Sequence, residues 1–205
     1  MAEKKYTPMM QHYLKMKEEN PDSILFYRLG DFYEMFFEDA KLVSQELDLV
    51  LTGRSAGVEE KVPMCGIPFH AANSYIQRLV KKGYKVAICE QLEDPSSAKG
   101  LVDRGIIKII TPGTYMDATM DAKSTNYMAS CDVSSFEITV IYCELSTGEL
   151  KYQTLQRSLV ALQKALLEQN VSELVCPMTM DKKWMAALEE MDTMLISKHK
   201  KANID

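Results

Sequence analysis

Residues 24–37 read Ile-Leu-Phe-Tyr-Arg-Leu-Gly-Asp-Phe-Tyr-Glu-Met-Phe-Phe. Two apolar, β-rich runs flank Gly30-Asp31, a pair typical of tight turns, so the stretch predicts a hairpin with strands at 24–29 and 32–37. In the second strand Phe32 and Glu34 lie on one face, about 6.6 Å apart, while Tyr33 and Met35 lie on the other. An ordinary strand turns its aromatics inward and its acids outward, and here an aromatic and an acid must share a face. Tyr33 and Met35 can supply the core side, so Phe32 and Glu34 are expected to project together. By itself the pair is weak, because an exposed Phe beside a Glu is not rare on protein surfaces.

Outward from the hairpin, Thr7-Pro8 reads as an N-cap with proline at the first helical position, and Met9, Tyr13 and Met16 fall on one stripe. A helix is expected at 8–19, stopped by Asn20-Pro21. After the hairpin, Ala40, Val43, Leu47 and Leu51 have helical period, with Asp39 in an acidic first turn. Residues 52–61, rich in Gly and charge, break that helix. Residues 62–70 hold two prolines and a glycine and read as an ordered, irregular loop. A helix through Tyr75, Leu79 and Val80 then closes on Lys81-Lys82-Gly83. Strands follow at 84–91 and 106–110, separated by a polar loop. The first part is thus an α/β unit, a mixed sheet flanked by helices, over residues 1–115, with a linker at 116–126.

Residues 127–205 read as three meander strands (127–131, 136–145, 150–155), a helix capped by Ser158, a strand at 173–176, a helix capped by Asp181 and a short last strand at 193–197. The β-β-β-α-β-α-β order suits a ribonuclease-H-like α/β sheet. A metal-dependent nuclease would then draw on carboxylates such as Asp132, Glu144, Glu168 and Asp181. None of these sits in the Asp-Gly-Ser context such a first strand usually presents. The sequence has no evident finish at Ile204-Asp205 and is expected to be part of a longer chain.

Composition narrows the functional classes. The 205 residues carry a net charge of −5, which argues against a protein that holds nucleic acid by a bulk positive field; a DNA contact would have to be local. Charge is unevenly spread, with residues 61–118 net positive and both flanking segments net negative. No run approaches a membrane span and no signal-peptide pattern opens the chain, which argues against insertion and secretion. The five cysteines, Cys65, Cys89, Cys131, Cys143 and Cys176, form no C-x-x-C pair and read as reduced cytosolic thiols, mostly buried. There is no P-loop and no Gly-x-Ser-x-Gly elbow, so the chain is not expected to be an enzyme. His12, His70 and His199 are too scattered for a metal cluster, and a Cys65/His70 nucleophilic pair would need geometry that spacing does not supply.

Five segments taken together carry a resemblance. Thr7-Pro-Met-Met, Phe26-Tyr-Arg-Leu-Gly-Asp-Phe-Tyr-Glu34, Pro63-Met-Cys-Gly-Ile-Pro-Phe-His70, Ala87-Ile-Cys-Glu-Gln91 and Ile110-Thr-Pro-Gly113 resemble, in order and spacing, the N-terminal mismatch-recognition domain of the bacterial MutS family. Glu144-Leu-Ser-Thr-Gly148 resembles the start of that family's connector domain, and the rival to a DNA-reading module, besides the nuclease, is a non-DNA scaffold fragment in which the connector surface binds a repair partner. The resemblance implies that Phe32 is a wedge stacking on a mispaired base from the minor groove and that Glu34 hydrogen-bonds to that base. It places Arg54, Met64, Arg104 and Lys99 along the same DNA-facing surface. Departures are small, with cysteine at 65 where a small residue is usual and Phe69 for the commoner tyrosine. The implied partners are mismatched double-stranded DNA and, for the full-length parent, a second MutS protomer and MutL, in a cytoplasmic, nucleoid-associated setting with no membrane. No cofactor or metal is expected in this part of the chain; ATP and Mg belong to the parent's ATPase.

Overall fold

The computed structural model describes residues 6–93, 102–116 and 125–199. The chain divides into two compact units, Met1–Ile110 and Thr111–Asp205.

The first unit begins with helix α1 (Pro8–Glu19), started by the Thr7 hydroxyl, which accepts from Met10 N at 3.4 Å. Strands β1 (Ser23–Leu29) and β2 (Phe32–Phe36) form the expected hairpin, with Leu29 opposite Phe32 and Gly30 at positive φ in the turn. Helix α2 (Phe37–Leu47) follows β2 directly. The corner is sharp enough to hold Phe37 at φ +54°, a left-handed conformation costing a bulky residue about 1 kcal/mol. Its ring packs edge-on to Tyr6 and against Tyr13, which fixes the corner. Next come β3 (Thr52–Arg54), β4 (Val62–Pro68), a single 3-10 turn at Phe69–Ala71, helix α3 (Ala72–Lys81), β5 (Lys85–Gln91) and β6 (Arg104–Ile110). Gly83 at φ +88° ends α3 as the sequence predicts.

These strands make one mixed sheet in the order β3-β4-β2-β1-β5-β6, with β1 and β5 parallel and the other neighbours antiparallel. Two expectations change here. Residues 62–70 were expected as an irregular loop, yet Val62–Pro68 is a strand inside the sheet, and the segment at 52–61, expected to be a break, contains β3. The prolines permit this because Pro68 closes the strand and Pro63 lies near its start, opposite Gly53 of a three-residue edge strand. One face of the sheet packs Met10, Tyr13 and Met16 of α1 against Leu25, Tyr27, Phe36, Val62, Ala87 and Cys89. The other carries α2, reached by the Cys65 thiol, which donates to the Ala40 carbonyl at 3.5 Å. Buried Asp39 ties α1, β1 and α2 together, accepting from Leu25 N and Lys17 Nζ, both at 2.9 Å, and from the Tyr13 hydroxyl at 3.4 Å.

The second unit comprises β7 (Tyr127–Val133), β8 (Glu137–Glu144), β9 (Glu149–Gln156), α4 (Leu159–Glu168), β10 (Val171–Pro177), α5 (Lys182–Glu189) and β11 (Leu195–His199), in the predicted order. Ser158 and Asp181 cap the two helices as predicted. The sheet order is β11-β10-β7-β8-β9, with β7, β8 and β9 antiparallel and β10 and β11 parallel to β7. Leu162 and Leu166 of α4 and Met185 and Leu188 of α5 pack with Tyr127, Ala129, Val140, Tyr142 and Leu174 of the sheet. The buried Glu173 carboxyl accepts from the Thr111 hydroxyl, from Gly113 N at 3.2 Å and from the Ser197 hydroxyl at 2.6 Å. The clasp lies at the start of the second unit, which begins at Thr111.

All five cysteines are free and four are buried, Cys143 being the partly exposed one. No helix among the described residues is long and apolar enough to cross a membrane.

Candidate nucleic-acid interface

Strand β2 alternates as its sequence requires, with Phe32 exposed, Tyr33 buried, Glu34 half-buried and Met35 buried. Phe32 stands opposite Pro68 of β4 and Glu34 opposite Gly66. A Cβ added at Gly66 would lie 3.5 Å from Cγ of Glu34 and 4.0 Å from Cδ1 of Phe32. Both side chains therefore lean over the same glycine, on one face of the sheet. Phe32 is 47% exposed, next to the hairpin turn and beyond the cover of α1.

The reverse face of the hairpin is clamped. The Tyr33 hydroxyl donates to Glu90 of β5, burial and that carboxylate pushing the phenol up to about 12. Arg28, opposite Tyr33, pairs with Glu90 at 3.4 Å, donates to the Gly30 carbonyl and lies 3.6 Å over the Phe69 ring. An exposed ring on a two-residue turn would ordinarily move freely, and these contacts hold its strand from behind.

On the Phe32 face, Glu34 Oε2 forms an ion pair with Nη1 of Arg54. Arg54 belongs to β3, the edge strand, and its guanidinium passes 6.0 Å from the Phe36 ring on its way to Glu34. Met64, opposite Phe36, is half-buried against the core beside that path. Tyr27 is the cross-strand partner of Glu34, and its hydroxyl is 2.9 Å from Nδ1 of His12 on α1. Burial, with Arg104 nearby, lowers the His12 pKa below the ordinary imidazole value, which favours the neutral ring.

Arg104 departs from the expectation. It is 7% exposed, its Nε donates to the Arg28 carbonyl and its Nη1 to the Val102 carbonyl, both at 2.8 Å, and its guanidinium lies 5.4 Å from the Tyr27 ring. A cation so committed braces β1 and the start of β6 rather than facing outward. Lys99 lies outside the described residues. Of the six residues named from the sequence, Phe32, Glu34, Arg54 and Met64 are thus brought together on one face, and Arg104 lies under its rim. Sequence reasoning missed Gly66, Tyr27 and His12. Gly66 was legible only as a turn residue, and nothing in the spacing of His12 joined it to the hairpin.

Among the described residues, the groups named for enzymatic alternatives have other surroundings. The Cys65 thiol is buried and pushed up to about 12, the opposite of an activated nucleophile, and His70 is an exposed residue of the 3-10 turn. Among the described residues no three His, Cys, Asp or Glu side chains converge as a metal site. Glu144 is instead consumed by its own turn, accepting from Ser146 Oγ, Thr147 N and Thr147 Oγ1 at 2.6–2.9 Å, and Asp181 caps α5.

Residues 7–119 match the family model for MutS domain I. "DNA mismatch repair protein MutS" of Clostridium botulinum (strain Loch Maree / Type A3) is 54% identical over 177 residues, covering 82% of this chain and 19% of that protein. The protein of the same name from Clostridium tetani (strain Massachusetts / E88) is 58% identical over 146 residues, 71% of this chain and 17% of its own length. The chain thus spans about a fifth of the relatives it matches. Among solved structures, a chain of the simian T-cell lymphotropic virus intasome bound to the PP2A regulatory subunit B56 gamma overlaps 37% of this chain at 11% identity and a TM-score of 0.27, too slight a likeness to inform the fold. With more than half of its length matched by that domain and relatives above 50% identity over most of it, the chain belongs to the MutS family.

Proposed function

We propose that the first unit recognises mispaired positions in double-stranded DNA, with Phe32 as the intruding ring and Glu34 as the group that probes the displaced base. The observation that carries this reading is the pairing of a half-exposed Phe32 with Glu34 over Gly66, on a strand clamped from behind. Inserting an apolar ring between base steps unstacks them and kinks the duplex, at a cost of a few kcal/mol per step. A mispair has already lost part of its stacking and pairing, so the same insertion costs less there. Selectivity arises from deformability, and one ring serves many mismatches because no unique donor and acceptor pattern is needed. Glu34 sharpens the choice. A carboxylate about 6 Å from a phosphate is repelled by roughly 2–3 kcal/mol at an effective dielectric near 20, a cost offset when a displaced base, or the carboxyl's own proton, supplies a hydrogen bond.

Within this reading Arg54 and Met64 border the duplex, Lys99 contributes a phosphate contact, and Arg104 acts by supporting β1. The second unit serves as a connector; its central β7 flanked by β8 and β9 on one side and by the parallel β10 and β11 on the other supports a ribonuclease-H-like reading. A second protomer, MutL, ATP and Mg would act through the remainder of a protein of the relatives' length, in the cytoplasm on nucleoid DNA.

The test is fluorescence anisotropy at fixed salt on mismatched and fully paired duplexes, using the chain extended to its relatives' length. Phe32→Ala abolishes the preference for the mismatch with the fold intact by circular dichroism. A preference that survives overturns the wedge.

A further inference from the structure

The two arginines expected at the interface differ in how they are held. Arg104 is buried and spends its guanidinium on two backbone carbonyls. The Arg54 side chain is 36% exposed, and the acceptor it reaches is Glu34, itself 15% exposed. With its guanidinium partly exposed, Arg54 can exchange this carboxylate for another anion. A DNA phosphate, approaching the face where Phe32 stands, is such an anion and suits an arginine fork at least as well as a carboxylate does.

Resting on the wedge reading above, we infer that Arg54 is a specificity-determining latch: it holds Glu34 along the sheet in the unbound protein and exchanges it for a phosphate when a base yields to Phe32. On a mispaired site both partners of the broken pair are re-satisfied, Glu34 by the displaced base and Arg54 by the backbone. On a sound duplex there is no displaced base. Releasing Arg54 would strand Glu34 among phosphates, so the latch stays closed and the phosphate contact is forgone. The arginine thereby adds affinity on one duplex and withholds it on the other, without reading any base itself.

The test is a double-mutant cycle of Arg54→Gln and Glu34→Gln in the chain extended to its relatives' length, with anisotropy on mismatched and paired duplexes across a salt series. Arg54→Gln alone is expected to lower the ratio of mismatched to paired affinity by roughly three- to tenfold, within the range of coupling between contacting residues. In the Glu34→Gln background, where no anion restrains Arg54, the same change is expected to lower both affinities alike and leave the ratio unchanged. The salt dependence for the mismatch should be steeper than for the paired duplex by about one phosphate contact in the parent protein, and equal to it in Arg54→Gln. Arg54→Lys, which keeps the charge, should restore most of the ratio. A uniform loss on both duplexes in both backgrounds overturns the latch and leaves Arg54 an ordinary phosphate contact. Phe32→Ala, measured in parallel, separates the two failures. If it leaves the mismatch preference intact, the wedge reading falls and takes the latch with it; if it abolishes the preference while the cycle is additive, the latch alone falls.

Discussion

Two glutamates, one in each unit, show how the same side chain serves opposite ends. Glu34 is half-buried and is held by a single, partly exposed cation. Glu173 is buried and held by three uncharged donors, the Thr111 and Ser197 hydroxyls and Gly113 N. A charge-to-charge contact at a surface is weak and can change partner, whereas several short hydrogen bonds inside a protein are costly to break because each donor left behind is unsatisfied. The first arrangement suits recognition and the second suits construction.

The comparison is most readily broken by stability measurements on both sites. Glu173→Ala should destabilise the second unit by about 3 kcal/mol, read from the urea midpoint, because it leaves two buried donors, the Thr111 hydroxyl and Gly113 N, and the half-buried Ser197 hydroxyl without their acceptor. Glu34→Ala should cost about 1 kcal/mol or less in the same assay; a loss as large as at Glu173 would erase the distinction. Gly113→Ala should lie between them at about 2 kcal/mol, since the new Cβ would fall 2.8 Å from both Cβ and Oε2 of Glu173 and 3.1 Å from Cβ of Met128. Gly66→Ala, the corresponding change beneath Glu34, should move stability by less than about 0.5 kcal/mol, its nearest contacts being 3.4 Å and 3.5 Å.

Acid provides a finer test. Glu144, held like Glu173 by uncharged donors, has its carboxyl lowered to about 2 by the Thr147 and Ser146 hydrogen bonds. Since its folded pKa lies below the unfolded value near 4.5, its contribution is fully present above that value and is lost as the pH falls toward 2. Carbon-detected titration of Glu144 should show the low midpoint, and Thr147→Val should raise it. An unchanged midpoint in that variant would discount the hydroxyl as the cause.

Much of this was legible in the chain itself. Gly30-Asp31 between two apolar runs specified the hairpin, Thr7, Ser158 and Asp181 marked helix starts, and the period of two placed Phe32 with Glu34. The strand at Val62–Pro68 escaped because its prolines argue locally against a ladder, and only the register shows Pro68 at the strand's end and Pro63 opposite the short edge strand β3. Arg54 was named by resemblance alone. Twenty residues and two strand crossings separate it from Glu34, and no local pattern encodes that approach. Arg104 was likewise placed on the DNA-facing surface by resemblance, and the carbonyls that satisfy it come from Arg28 and Val102, which no local pattern joins to it.

By itself the sequence determined most of the elements outside residues 52–68, the caps of three helices and which side chains of β2 share a face, because these follow from short-range periodicity and turn chemistry. The tertiary structure alone decided which charges are spoken for. Arg104 bound to carbonyls, Arg54 to Glu34 and Glu173 to a distant turn are long-range pairings, set by strand order and by the requirement that every buried polar group find a partner.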